Sequence, residues 1–165
     1  MKKLFTAIRS SDFEMVRLII EKKPELVNCV AKQPPKKDDG QSPLQVALKT
    51  GNTAIANYLL DMGADVNALD TYGNSGLNRF ALQAKQILPS YNYAEHREGT
   101  DRIFTEDLHE DLRNVLQVLK DAGADVSYKA PNLGYSVREF CGEGSISILF
   151  DEVFGSDVEI EVETI

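Results

Sequence analysis

Short apolar stripes at helical spacing recur along most of the chain, separated by glycines and polar breaks. Leu4, Ala7 and Ile8 make one short face; after Ser11-Asp12, read as a break and N-cap, Phe13, Val16, Leu18, Ile19 and Ile20 make a second. Ile55, Tyr58, Leu59 and Met62 form another stripe, and Leu77, Phe80, Ala81, Ala84, Ile87 and Leu88 predict a longer helix. Leu108, Leu112, Val115, Leu116 and Leu119 fall at i, i+4, i+7, i+8 and i+11, one face of an amphipathic helix. Ile146, Leu149, Phe150 and Val153 pack the last helix, ahead of which Gly144-Ser145 marks a break. The final stretch, Asp157 to Glu163, alternates at period two, a strand-like pattern with no internal partner strand.

The punctuation between these helices is periodic. Gly40 recurs as Gly73 and Leu44 as Leu77, both at an interval of 33 residues, while Gly63-Ala64-Asp65-Val66 recurs 60 residues on as Gly123-Ala124-Asp125-Val126. The second interval is one period plus 27 extra residues. Gly40 and Gly73 suit a tight turn that needs positive φ. Ser42 followed by Pro43 reads as N-cap and first helical position, where a missing N–H costs nothing. Gly51 breaks the chain between two helices, and Gly63 closes the second as a C-terminal cap.

Taken together, Gly40-Gln41-Ser42-Pro43-Leu44, Gly51, Tyr58-Leu59-Leu60 and Gly63-Ala64-Asp65-Val66-Asn67-Ala68 closely resemble an ankyrin repeat. The resemblance implies an all-α solenoid of about four helix-turn-helix repeats, with short β-hairpin loops and one insertion in repeat three. The repeats fall at about 1–30, 38–70, 71–130 and 131–155, within a single domain over 1–155, and residues 156–165 form an acidic tail. The insertion is placed at 86–111. Gln45, and Asn78 one repeat later, stand where the family usually has histidine; an amide can still hydrogen-bond the neighbouring turn. Gly76 replaces the usual proline, predicting a looser helix start, Arg138 stands where leucine is expected, and Cys141 where a small buried alanine is usual. The predicted core includes Leu44, Ala47, Leu59, Leu60 and Leu116.

Two segments stay open. Val30 to Asp39, with adjacent prolines in a charged stretch, is either a plain solvated loop or a finger that touches a partner. The tail is either disordered or an edge strand.

Composition narrows the class. A chain of 165 residues, 42% hydrophobic, forms one domain with a substantial core. No apolar run reaches the roughly 20 residues of a membrane span, and the N-terminus lacks the apolar stretch of a signal peptide. Two cysteines fit free thiols in a reducing compartment, so a cytoplasmic location is expected. The formal net charge is −8; residues 1–37 carry +5, which leaves −13 on the rest. Seven acids and two arginines lie between Glu95 and Asp111. Such acidity disfavours nucleic acid and anionic membrane and favours a basic protein partner. Equally, it serves to keep a small protein in solution.

Candidate chemistry is sparse. His96 and His109 lie in or beside the insertion without the spacing of a histidine–carboxylate metal site. Nucleophile elbow, phosphate-cradling glycine loop and CxxC are all missing from the sequence. No enzyme activity, cofactor or metal is therefore expected. The resemblance places recognition on the concave face, made of hairpin tips and the outward side of each first helix. Those positions are Arg9 and Ser10; Asp38, Asp39, Gln41, Lys49 and Thr50; Thr71, Tyr72, Asn74, Leu82 and Gln83; and Asn132, Leu133, Tyr135 and Glu143. Tyr72 and Tyr135 are the expected anchors, while Glu106, Asp107, Glu110 and Asp111 steer encounter. The expected function is a monomeric, stoichiometric protein binder, favoured as a small inhibitor such as an immunity protein that blocks a toxin. The alternatives are an adaptor with several partners, or an enzyme or small-ligand sensor built in the insertion.

Overall fold

The computed structural model describes residues 1–31, 40–131 and 134–155. Among them are eight α-helices: α1 (Lys2–Arg9), α2 (Phe13–Lys22), α3 (Pro43–Lys49), α4 (Thr53–Asp61), α5 (Gly76–Ile87), α6 (Glu106–Asp121), α7 (Val137–Phe140) and α8 (Ser145–Phe154). A 3-10 turn spans Pro24–Asn28, and β1 (Tyr91–Asn92) pairs antiparallel with β2 (Arg97–Glu98). The helices come in four successive pairs. The odd-numbered helices pack side by side in one layer, the even-numbered ones in a second. The core lies between these layers, and Leu44, Ala47, Leu59 and Leu116 are fully buried in it.

Local chemistry sets most helix starts. Asp12, Ser42, Ser75, Thr105 and Ser136 each accept a hydrogen bond from a backbone N–H in the first turn of the helix that follows. At Ser42 the box closes both ways, because Gln45 Oε1 accepts the Ser42 N–H at 2.8 Å. Gly40 shows why glycine is required there: its φ is +76°, and an added Cβ would overlap the Thr71 side chain. At the start of α5, where Gly76 replaces the usual proline, only half of that box is present: Ser75 accepts the Asn78 N–H with no bond returned. A Cβ at Gly76 would press on Leu48 at 3.2 Å, so glycine lets α3 and α5 approach.

Polar side chains lock one repeat to the next. Buried Gln45 donates its amide protons to the Ala68 and Asn74 carbonyls, at 2.8 and 2.9 Å, in the role the sequence suggested. Asn28 donates to the Gly63 carbonyl and accepts the Asp65 N–H (3.1 and 2.8 Å). Asn67 repeats the arrangement with Gly123 and Asp125, both at 2.9 Å. The two loops that are 60 residues apart in sequence are therefore direct neighbours in space.

Several expectations need correction. Met62 and Leu18 were expected in apolar stripes, but Met62 caps the end of α4 and Leu18 lies on the far side of α2 from Val16 and Ile20; they are 39% and 59% exposed. Leu60 is only half-buried. The helix α6 begins at Glu106, so Glu106 to Asp111 belong to its first turns, and only residues 88–105 lie between α5 and α6. Among the described residues the junction turns are joined by backbone hydrogen bonds of Ala31 with Gln41 and Asp70 with Asn74 and by a bridge between Lys129 and Ser136, while a regular two-stranded pair lies between α5 and α6. Arg138, in place of leucine, remains mostly covered: it pairs with Asp151 and its guanidinium lies 5.7 Å from the Phe150 ring centre.

That segment between α5 and α6 folds back on the body. Gly144, the residue before α8, has no side chain to cap with, and the Glu98 carboxylate accepts the Ser145 N–H from 47 residues away. Lys85 donates to the Phe140 carbonyl at 2.8 Å at the end of the single-turn helix α7.

Leu59→Ala should lower unfolding free energy by about 2–5 kcal/mol in urea denaturation, the range for a large-to-small change in a close-packed core. Asn67→Ala removes two inter-repeat hydrogen bonds and should lower it by about 1–2 kcal/mol, with helicity unchanged below the transition. A variant melting with the wild type would show that the Asn67 amide does not hold the neighbouring loops together.

Candidate functional site

The junction turns stack in a row. The turn at Gly40 meets Thr71, and the turn at Gly73 meets Pro131, whose Cδ lies 3.0 Å from an ideal Cβ on that glycine. Tyr128 adds a hydrogen bond from its hydroxyl to the Gly73 carbonyl at 2.7 Å. The row lies on the side of the odd-numbered helices, whose first turns follow these junctions.

Tyr72 is the most exposed aromatic ring of that row, at 61%. Its position follows from Asp70. The Asp70 carboxylate accepts the backbone N–H groups of Tyr72 and Asn74, both at 2.9 Å, and its other oxygen accepts from Arg79 Nε at 2.8 Å. Asp70 is itself buried, so an ion pair beneath the turn fixes the backbone that carries Tyr72. Sequence reasoning missed both residues. An Asx-type turn at Asp70 was readable from Asp-Thr-Tyr-Gly, but nothing in the spacing pointed to Arg79.

Tyr135 follows Gly134, whose φ is +74°, and is 41% exposed. One face of its ring stacks on Phe140, with centroids 6.1 Å apart and planes at 14°. Leu82, half-buried on α5, shares a small crevice with Tyr135, Val137 and Phe140. Gln83, the next residue, faces elsewhere: with Ile87 and Asp111 it borders a groove of about 190 Å³ beside Leu48, Phe80 and Leu112.

The remaining candidates scatter. Arg9 and Lys49 end α1 and α3, where a cation complements the helix dipole. Ser10 and Thr50 follow them and are exposed. Thr71 is exposed and Asn74 half-buried. Gln41 is a correction. It is 2% exposed, packed under the turn where its backbone pairs with Ala31, so its side chain cannot present itself to a partner. Its Oε1 has no hydrogen-bond partner among the described residues. Asp38, Asp39, Asn132 and Leu133, like the Lys32–Lys37 finger and the tail 156–165, lie outside the described residues. Glu143 sits in the α7–α8 turn, where it accepts from the Tyr91 hydroxyl at 3.1 Å.

Glu106, Asp107, Glu110 and Asp111 are all exposed, but on α6, in the layer opposite the turns. Structure therefore separates the predicted anchors from the predicted steering charges. Glu106 and Glu110 ring an open depression with His109, Arg113 and Glu152, and His109 Nε2 lies 2.9 Å from Glu152 Oε2.

The groups with chemical potential are occupied structurally. Burial pushes the Cys141 thiol up to about 12, so it stays protonated and is a poor nucleophile near neutral pH. Both cysteines are free thiols. Among the described residues, no group of three or more His, Cys, Asp or Glu side chains is placed to hold a metal ion. No described helix is long and apolar enough to cross a membrane.

No curated protein matches the sequence. Residues 2–70 match the family model for ankyrin repeats (3 copies), and ankyrin repeats are generally protein–protein interaction modules. The matched stretch covers α1 to α4 and ends at Asp70, so Asn28 and the capping box at Ser42 lie within the part of the chain that is similar to ankyrin repeats.

Proposed function

We propose that the whole described chain is one ankyrin array of four repeats, with an insertion in the third, acting as a non-catalytic binder of a basic protein. The observation that carries this reading is the pair Tyr72 and Tyr135. Each is a large exposed ring beside a positive-φ turn glycine, and each is backed by structure that holds it without burying it. The turn backbone at Tyr72 is held by Asp70 and the Tyr135 ring is stacked on Phe140, so both lose less conformational entropy on docking, which suits anchor residues. Leu82, Asn74, Thr71, Lys49 and Arg9 extend the same surface.

The acidic residues on α6 act at longer range. Glu106, Asp107, Glu110 and Asp111 lie away from the rings, so their contribution is to the field that steers a basic partner rather than to direct contact. The form favoured is a monomeric, stoichiometric inhibitor in the cytoplasm, such as an immunity protein: occlusion of a partner's site needs a single binding surface.

Affinity capture followed by surface plasmon resonance tests this. Tyr72→Ala and Tyr135→Ala should each weaken binding by about thirtyfold, the loss of a 2 kcal/mol anchor. Joint neutralisation of Glu106, Asp107, Glu110 and Asp111 should slow association and flatten its salt dependence while leaving dissociation nearly unchanged. Folded tyrosine variants that bind like the wild type would move the site off this surface.

A further inference from the structure

A separate cavity of about 230 Å³ opens where the β1–β2 hairpin meets the α7–α8 turn, near the C-terminal end of α5. It lies about 18 Å along α5 from the turn that carries Tyr72, judged from the helical rise over twelve residues. Tyr91 and Tyr93 form one wall. Their ring centres are 4.9 Å apart and their planes 75° from each other, so the rings meet at a corner. Glu98 and Glu143 line the cavity as well.

We infer that this cavity binds the cationic side chain of an arginine or lysine carried by a protein partner. Aromatic faces attract a cation through their quadrupole, and carboxylates beside them add direct charge. The carboxylates retain capacity. The bond from Tyr91 Oη uses Glu143 Oε2 and the bond from Ser145 N uses Glu98 Oε1, one oxygen of each pair. Lys85 is the cation at the cavity wall, and its ammonium is turned to Phe140, donating to the carbonyl at 2.8 Å and lying 3.9 Å from the ring centre. The Tyr91 hydroxyl is pushed above its ordinary range, first by desolvation and then by Glu143, Tyr93 and Glu98, as expected in a negative surrounding. The volume is below the roughly 300 Å³ at which small-molecule sites begin, and it suits a single side chain. Tyr93 is 59% exposed, which leaves the mouth open to a chain approaching from solvent.

The source of the ligand rests on the protein-binding reading; the cavity's cation preference does not. The test is a nitrogen-15 NMR titration of the full chain with N-acetyl-arginine amide, N-acetyl-lysine amide, the neutral N-acetyl-citrulline amide, and spermidine. A basic amino-acid probe should give saturable shifts confined to Tyr91, Tyr93, Glu98, Gly144 and Ser145, with none from citrulline. Tyr93→Ala and Glu143→Gln, both at exposed positions, should each weaken this by about fivefold or more in otherwise unchanged spectra. Equal shifts from citrulline, or variants that titrate like the wild type, overturn the inference. Tighter binding of spermidine than of either amino-acid probe overturns it in favour of a free polyamine. Tyr72→Ala should leave the titration unchanged, so failure of the concave-surface reading and failure of this one are read separately.

Discussion

The asparagine clasp between successive loops is the constraint from which the rest of the architecture follows. Each side-chain amide both donates to and accepts from the backbone of the next loop, which fixes distance and register together. Asn28 reaches Gly63 across 35 residues and Asn67 reaches Gly123 across 56, with the same geometry. The stack therefore has a spatial period independent of how much chain lies between two clasps. Extra residues have to leave and return elsewhere. They do so at the far end of the third pair, between α5 and α6, where no clasp is broken.

That placement has structural consequences. Both helices flanking the extra segment are long, 12 and 16 residues against 7 and 9 in the preceding pair. The segment also compensates for a weak neighbour. The helix α7 is a single turn of four residues, too short to be stable by its own hydrogen bonds. It is held by its capping box, by Lys85 from α5 and by the Tyr135–Phe140 stack, while Glu98 caps the helix after it. A segment that looked like an appendage in sequence is part of the support for the last helix pair.

Charge and aromatic surface are sorted between the two layers. The acids of α6 face solvent on the even-numbered layer, and the Tyr72 turn borders the odd-numbered one. A partner drawn by the field of the first and anchored on the second would experience association and dissociation through different residues. The buried Asp70–Arg79 pair connects stability to this surface, since it orders the turn on which Tyr72 stands.

Sequence alone determined the helices, most of their caps and the identity of the repeat. Those features depend on neighbours within a few residues: Ser42 and Gln45, Ser136 and Glu139, and glycines whose backbone angle a side chain would resist. Even the Gln45 bond to the adjoining turn was legible, because the position in the repeat implied its direction. Tertiary structure alone decided which exposed-looking polar residues are accessible and which distant ones meet. Gln41 is polar but buried, because packing between stacked turns outweighs its preference for water. The Asp70–Arg79 pair beneath Tyr72, Glu98 at the start of α8, and the Tyr91–Glu143 bond span 9, 47 and 52 residues, and no local periodicity encodes contacts of that range. They arise when the clasped loops bring separate repeats into register and the segment between α5 and α6 reaches the α7–α8 turn through Glu98 and Tyr91.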